Sequence, residues 1–257
     1  MCVIFPGMSR AVSSLIFCLL LAASPARAIT GNAPAAPLQG RNAVMITSTA
    51  GTFCTGAAIA RDLVLTAAHC VAPGPSYKLI EFDSARQPTL IDIREIARHP
   101  NFNLQTLLGH RATADLALIK LAAPLPSGVM PANLSRSDRK PEAGERYAVT
   151  GYGVAVRGDG KTSGTLRSAQ LVSTGRPGNL QIRLVDPATG GAREGLGACT
   201  GDSGAPVYEG TALVGVVSWS TGPNLSAGCG GMTGVTPIQL YRGWIMDTAR
   251  RLGSPLN

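Results

Sequence analysis

The stretch ACTGDSGAPVY (residues 198–208) sets Ser203 directly after Asp202, between Gly201 and Gly204 and four residues past Cys199. Glycine and serine are common turn residues, so these letters alone are compatible with a surface turn. A serine hydroxyl is a poor nucleophile near neutral pH. A catalytic reading therefore needs a base, and a group to orient that base, elsewhere in the chain.

Upstream, VLTAAHC (residues 64–70) runs from a β-prone segment into small residues that leave space around the His69 imidazole, with Cys70 beside it. In ADLALIKL (residues 114–121), Asp115 opens an alternating apolar run, where an unpaired buried carboxylate would be costly. A histidine base held by a buried aspartate and acting on a serine is a known constellation. The order His69, Asp115, Ser203 is the chain order of its chymotrypsin-type form. The nucleophile elbow of α/β-hydrolases does not fit, because Ala205 stands where G-x-S-x-G needs its last glycine and the acid precedes the serine.

The rest of the chain sets the frame. It has 257 residues, 45% hydrophobic and 15% charged, enough to bury one large core or two small ones. Thirty-one glycines and eighteen prolines punctuate short β-prone runs such as YAVTGYG and ALVGVVSWS, the texture of an all-β barrel or sandwich. Residues 1–28 read as a secretory signal: Arg10 ends the n-region, AVSSLIFCLLLAA is the apolar run, and ARA is a small-x-small cleavage site after Ala28. That run is shorter than the roughly 20 residues a membrane span needs. A lipid anchor at Cys18 is disfavoured by Phe17 and by the apolar residues that follow.

Loss of the signal removes Arg10 and Arg27 from a formal charge of +8 and takes away Cys2 and Cys18. Cys54, Cys70, Cys199 and Cys229 remain, an even set that predicts two disulfides in an exported protein, secreted or periplasmic. No C-x-x-C occurs and His69, His99 and His110 lack metal-ligand spacing, so no metal or other cofactor is expected. His110 sits in a polar loop and His99 precedes Pro100; neither is expected in the chemistry. The arginines are spread without a run, which predicts a solvated basic surface and no nucleic-acid partner.

Taken together, TAAHC, DLALIKL, VTGYG, GDSGAP and VVSWS resemble, in order and approximate spacing, the trypsin/chymotrypsin family of serine endopeptidases. The resemblance implies an all-β fold of two six-stranded antiparallel barrels with the active site in the cleft between them, plus a C-terminal α-helix. Barrel one would cover about 29–135, barrel two about 136–237 and the helix about 238–252. The helix is expected to pack on barrel two through Leu240, Trp244, Ile245 and Ala249. Disulfides Cys54–Cys70 and Cys199–Cys229 carry over from the family.

The roles also carry over: His69, Asp115 and Ser203 as catalytic residues, the backbone N–H groups of Gly201 and Ser203 as oxyanion hole, and Ser218 as support for the aspartate. Asp202 would be buried against the α-amino group of the mature chain. ITGN, beginning at Ile29 directly after the predicted signal cut, stands where the family has Ile-Val-Gly-Gly. The signal cut itself is thus expected to create the activating N-terminus. The substrate pocket would use Gly197, Ala198, Thr200, Trp219, Ser220 and Gly234. With glycine at position 197, where trypsin-like enzymes carry aspartate, uncharged apolar or aromatic P1 residues are expected. The segment STGPNLSAG, before Cys229, is longer than the family's usual connection. Expected partners are protein or peptide substrates and a proteinaceous inhibitor, with the protein a monomer. The alternative is a catalytically silent homologue that binds polyanions or proteins.

Overall fold

The computed structural model describes residues 29–36, 41–82, 87–177 and 180–256. The predicted signal, residues 1–28, lies outside the described residues. Six strands close the first barrel in the order β1-β2-β3-β6-β5-β4, every neighbour antiparallel. They are β1 (Ala43–Ser48), β2 (Phe53–Ala60), β3 (Leu63–Thr66), β4 (Tyr77–Phe82), β5 (Pro88–Arg98) and β6 (Ala117–Leu121). In β3 and β6 the two-residue period sends Val64, Ile119 and Leu121 into the barrel. Leu63, Leu65 and Leu118 point outward into a second buried cluster, shared with Tyr208, Val216 and Ile245 of the other half. Both faces are buried, so these strands read as nearly unbroken apolar runs.

The second barrel consists of β8 (Ala143–Gly151), β9 (Arg167–Thr174), β10 (Ile182–Val185), β11 (Pro206–Glu209), β12 (Ala212–Ser220) and β13 (Met232–Pro237). Pairing runs β11-β8-β9-β10-β13-β12 and closes through β11–β12, and the two-residue β7 (Asn133–Leu134) adds to β12 in parallel. Its interior is filled by Tyr147, Val149, Leu171, Leu184, Val207 and Val235.

One helical turn, α1 (Leu104–Leu108), interrupts the loop before β6. The C-terminal helix α2 (Arg242–Arg251) is shorter than expected, and it is preceded by a 3-10 turn at Gln239–Tyr241. Leu240 falls in that turn and is 41% exposed, while Ile245, Thr248 and Ala249 are buried. The helix packs on barrel one as well as on the expected barrel two. It fills the junction, packing among Leu63, Leu65, Leu116 and Leu118 of barrel one as well as Leu213 and Val216. The His99 ring packs against Tyr241 and Trp244 at 5.0 and 4.8 Å between centroids. Beyond the helix, Ser254 Oγ donates to Asp62 at 2.6 Å, and the buried Lys120 ammonium reaches both groups at 2.5 Å. The contact with barrel one has a physical reason: the outward faces of β3 and β6 need cover, and the helix supplies it.

Candidate active site

His69 lies in the 3-10 turn Ala68–Val71 that ends β3, with Ala67 and Ala68 buried beneath it. The Cys54–Cys70 disulfide ties this turn to β2, with Cα atoms 6.1 Å apart. Asp115, immediately before β6, is wholly buried. Its Oδ1 accepts the His69 backbone N–H at 3.0 Å and its Oδ2 faces His69 Nδ1 at 2.8 Å. With Nδ1–H donated to the carboxylate, the ring's Nε2 is left as an acceptor.

The third donor to Asp115 comes from the other barrel. Pairing of β12 with β13 skips a residue between Val217 and Trp219, a bulge that leaves Ser218 as the extra residue. The Ser218 hydroxyl donates to Asp115 Oδ2 at 2.6 Å. Each carboxylate oxygen is thus engaged, which meets the desolvation cost of a buried charge.

Ser203 sits in the loop before β11, and its carbonyl accepts the Thr55 N–H of β2 at 2.9 Å. Thr55 Oγ1 donates to the Gly201 carbonyl at 2.9 Å, so one β2 residue holds the serine loop at two points. Gly201 has φ +92°, and a Cβ there would stand 2.0 Å from the Phe53 ring; only glycine fits. The neighbouring peptides turn inward: Asp202 N–H donates to Cys199 O and Gly204 N–H to Val217 O. Among the described residues the N–H groups of Gly201 and Ser203 donate to no protein acceptor. Ser203, Gly201 and His69 line one cleft. No hydrogen bond joins the Ser203 hydroxyl to His69, a contact that in such sites commonly tightens only when substrate binds.

Asp202 is also wholly buried, but its partners are backbone. Its carboxylate accepts Gly153 N–H at 2.8 Å and Cys199 N–H at 2.9 Å. Cβ atoms on Gly151 and Gly153 would approach it within 2.2 and 2.4 Å, which gives the GYG of residues 151–153 a physical reason. Burial pushes its carboxyl up to about 7, against the pull of the two N–H groups and the Arg167 charge. Ile29 is fully buried in the barrel-two core, and Thr30 N–H donates to the Gly197 carbonyl at 3.1 Å. Ile29 holds φ +53°, a left-handed conformation that a β-branched residue avoids.

Of the pocket residues expected from sequence, Thr200 and Ser220 line the cleft beside Ser203. Gly197 is packed against Gly230, with 3.1 Å left for a Cβ, and Ala198 is buried next to it. Gly234 lies under the Trp219 indole, where a Cβ would be 2.0 Å from the ring. One residue earlier, Thr233 pairs with Ser220, and its Oγ1 accepts the Ala198 N–H at 3.0 Å. A one-residue slip in a strand exchanges its faces, so the sequence alone could not choose between Thr233 and Gly234. His110, read as a loop histidine, stacks on Trp219 at 4.7 Å. The Cys199–Cys229 bridge is formed, Cα atoms 5.0 Å apart, and ties the serine loop to the chain entering β13.

The two six-stranded antiparallel barrels are those of the chymotrypsin-like fold. The Trypsin family pattern matches residues 29–245. The chain is 31% identical over 210 residues to Trypsin-4 of Rattus norvegicus, covering 76% of this chain and 79% of that protein. It is 29% identical over 227 residues to Trypsin of Sarcophaga bullata, covering 78% and 80%. A solved mutant of human heparin binding protein superposes with a TM-score of 0.68 at 26% identity, covering 87% of this chain and 97% of the other. This chain belongs to the trypsin family and is a serine-type endopeptidase. Among the described residues no helix is long and apolar enough to cross a membrane.

Proposed function

We propose that the protein is an exported endopeptidase that cleaves peptide bonds through an acyl-enzyme on Ser203. His69 takes the serine proton through Nε2 and returns it to the leaving amine. Asp115 fixes the imidazole and stabilises its protonated form, and Ser218 holds Asp115. The N–H groups of Gly201 and Ser203 receive the oxyanion of the tetrahedral intermediate. The observation that carries this reading is the Asp115 carboxylate, buried and gripped at once by His69 of one barrel and Ser218 of the other.

Gly197 and Ala198 bring no charge to the floor of the pocket, and Thr233 contributes only a hydroxyl. This supports P1 residues that are uncharged, since none of these three residues offers a carboxylate to a buried Lys or Arg side chain.

The α-amino group of Ile29 is the proposed counter-ion of Asp202. In the uncut chain that nitrogen is a neutral amide and Ile29 is held at a positive φ, a strain of about 1–3 kcal/mol. Cutting the 28–29 bond supplies a cation beside a carboxylate that burial otherwise drives towards protonation, and it frees the φ rotation.

Fluorophosphonate labelling tests the core of the proposal. Wild-type protein starting at Ile29 should be labelled and Ser203→Ala should not, and a peptide library should show cuts after apolar or aromatic residues. Absence of labelling in correctly folded, Ile29-started protein would overturn the mechanism. Lys or Arg dominating at P1 would overturn the pocket reading alone.

A further inference from the structure

Among the described residues, the side chains lining the active cleft include one permanent charge, Arg157, and no carboxylate. Arg157 lies in the loop that follows β8. The root of that loop is fixed by Val154 N–H donating to Thr200 O at 2.9 Å, and by Thr162 Oγ1 accepting from Ala155 and Val156 N–H at 3.0 and 3.1 Å. From there the guanidinium crosses to the neighbouring loop, where Nη1 donates to the Ala227 carbonyl at 2.9 Å. The same nitrogen stands 3.1 Å from the Cβ position of Gly228, which is itself a cleft residue. Arg157 thereby spans the mouth between two loops that both join the serine loop, one through Thr200 and one through the Cys199–Cys229 bridge.

A guanidinium carries five N–H donors, and this one uses a single backbone contact and forms no ion pair among the described residues. A second cation lies against Trp219. Arg183 of β10 lies 5.7 Å from the centre of the Trp219 ring and donates to His110 O and Gln181 Oε1, both uncharged acceptors. Trp219 follows Ser218, which holds Asp115, and precedes Ser220, which lines the cleft. The charged side chain that lines the cleft is therefore a cation, and it forms no ion pair among the described residues.

We infer that the cleft selects acidic peptides: carboxylate side chains flanking the scissile bond are held by Arg157, while flanking lysines are repelled. The inference rests on the peptidase reading and extends it, because it concerns residues beside the uncharged P1 rather than P1 itself.

The test uses matched peptides with one fixed uncharged P1 and a single Glu, Gln or Lys placed in turn at each position from P3 to P3′. For the Ile29-started enzyme, Glu should exceed Gln by about three- to five-fold in kcat/KM at one or more positions, the size expected of an exposed ion pair, with Lys below Gln. The preference should shrink in about 1 M salt, where charges are screened within about 3 Å. Arg157→Gln keeps an N–H donor for Ala227 O and removes the charge, so the Glu/Gln ratio should fall to about one. Arg157→Glu should invert the order, which loss of loop structure alone would not do. Flat ratios in wild type, or ratios unmoved in both variants, overturn the inference. Anisotropy with the same peptides and Ser203→Ala reads the preference without turnover. Glu-selective binding with no cleavage by wild type would sink the peptidase reading and leave the acidic preference standing, whereas cleavage with no charge preference would do the reverse.

Discussion

Two aspartates are buried to the same extent, and their surroundings differ in kind. Asp115 sits where the barrels meet and is satisfied by side chains from both, the His69 ring and the Ser218 hydroxyl, together with the His69 N–H. Asp202 sits inside the second barrel and receives two backbone N–H groups, with glycines cut away around it. The first site is completed by folding. The second is completed, in our proposal, by a covalent event: cutting the chain before Ile29 adds an α-amino cation to the charge that Arg167 already exerts. A buried carboxylate that folding satisfies serves as a fixed part of a mechanism; one that burial still drives towards protonation can serve as a switch.

The comparison can be broken most decisively at Asp115. Asp115→Asn keeps the shape but reverses the demand on His69 Nδ1, so kcat on a peptide substrate should fall by about 10⁴-fold, the loss known for the same change in this type of triad. The unfolding midpoint should move far less. Retention of activity would mean that Asp115 does not orient the base.

Next in size is the switch. Acetylating the Ile29 amine, or making Asp202→Asn, should lower kcat/KM by about 10²- to 10³-fold, comparable to losing an oxyanion donor, because the serine loop is no longer held in place. Stability gives an independent reading. The folded-state pKa of Asp202, about 7, lies above its ordinary value, so the native chain binds that proton more tightly than the unfolded chain does. Its contribution is present at low pH and is lost as pH rises from about 4 through about 7. In Ser203→Ala protein still carrying residues 1–28, the urea midpoint should therefore fall between pH 5 and pH 8. The Ile29-started form should fall less, and identical slopes in the two forms would remove the ion pair from the account.

Ser218→Ala sharpens the first half of the contrast. Loss of one hydrogen bond to a charged acceptor is worth about 1.5 kcal/mol, so kcat should drop by about ten-fold while KM holds. An unchanged kcat would reduce Ser218 to packing.

The smallest effect concerns a third carboxylate, Glu81 of β4, which is neither exposed nor well served. Its Oε1 has no hydrogen-bond partner among the described residues, and burial pushes its carboxyl up to about 7. By the same sign argument its contribution to stability is lost as pH rises from about 4.5 through about 7 and is then constant. Glu81→Gln should raise stability by about 1 kcal/mol at pH 8 and leave it unchanged at pH 5, measured by denaturant titration. A loss at pH 8 would show that the charged form is satisfied.

How much of this was legible depended on the range of the contacts. GDSGAP, TAAHC and DLALIKL announced their residues because each chemical demand is local: a positive φ at Gly201, small residues beneath His69, an acid at the mouth of a strand. The helix was found, but not its contact with barrel one, since β3 and β6 are apolar on both faces and give no sign of which face needs cover. Which residue of β13 stands opposite Ser220 was not legible, because the β12 bulge that pairs it with Thr233 shifts pairing without a local signature. His110 looked like a loop residue because nothing in LLGHRATAD refers to Trp219, more than a hundred positions later.

By itself the sequence determined the all-β class, the four cysteines that pair, and the three residue types that a serine hydrolase needs in a recognised order. Side-chain chemistry and glycine's conformational freedom are properties of single residues and survive in a one-dimensional record. The tertiary structure alone decided which groups meet: Ser218 on Asp115 across 103 positions, Thr55 on Gly201 across 146, and Arg157 across the mouth of the cleft onto Ala227. Such contacts arise from the closure of two barrels and the bulge between them. Their partners are selected by where the whole backbone places them, so neither member carries the mark of the other.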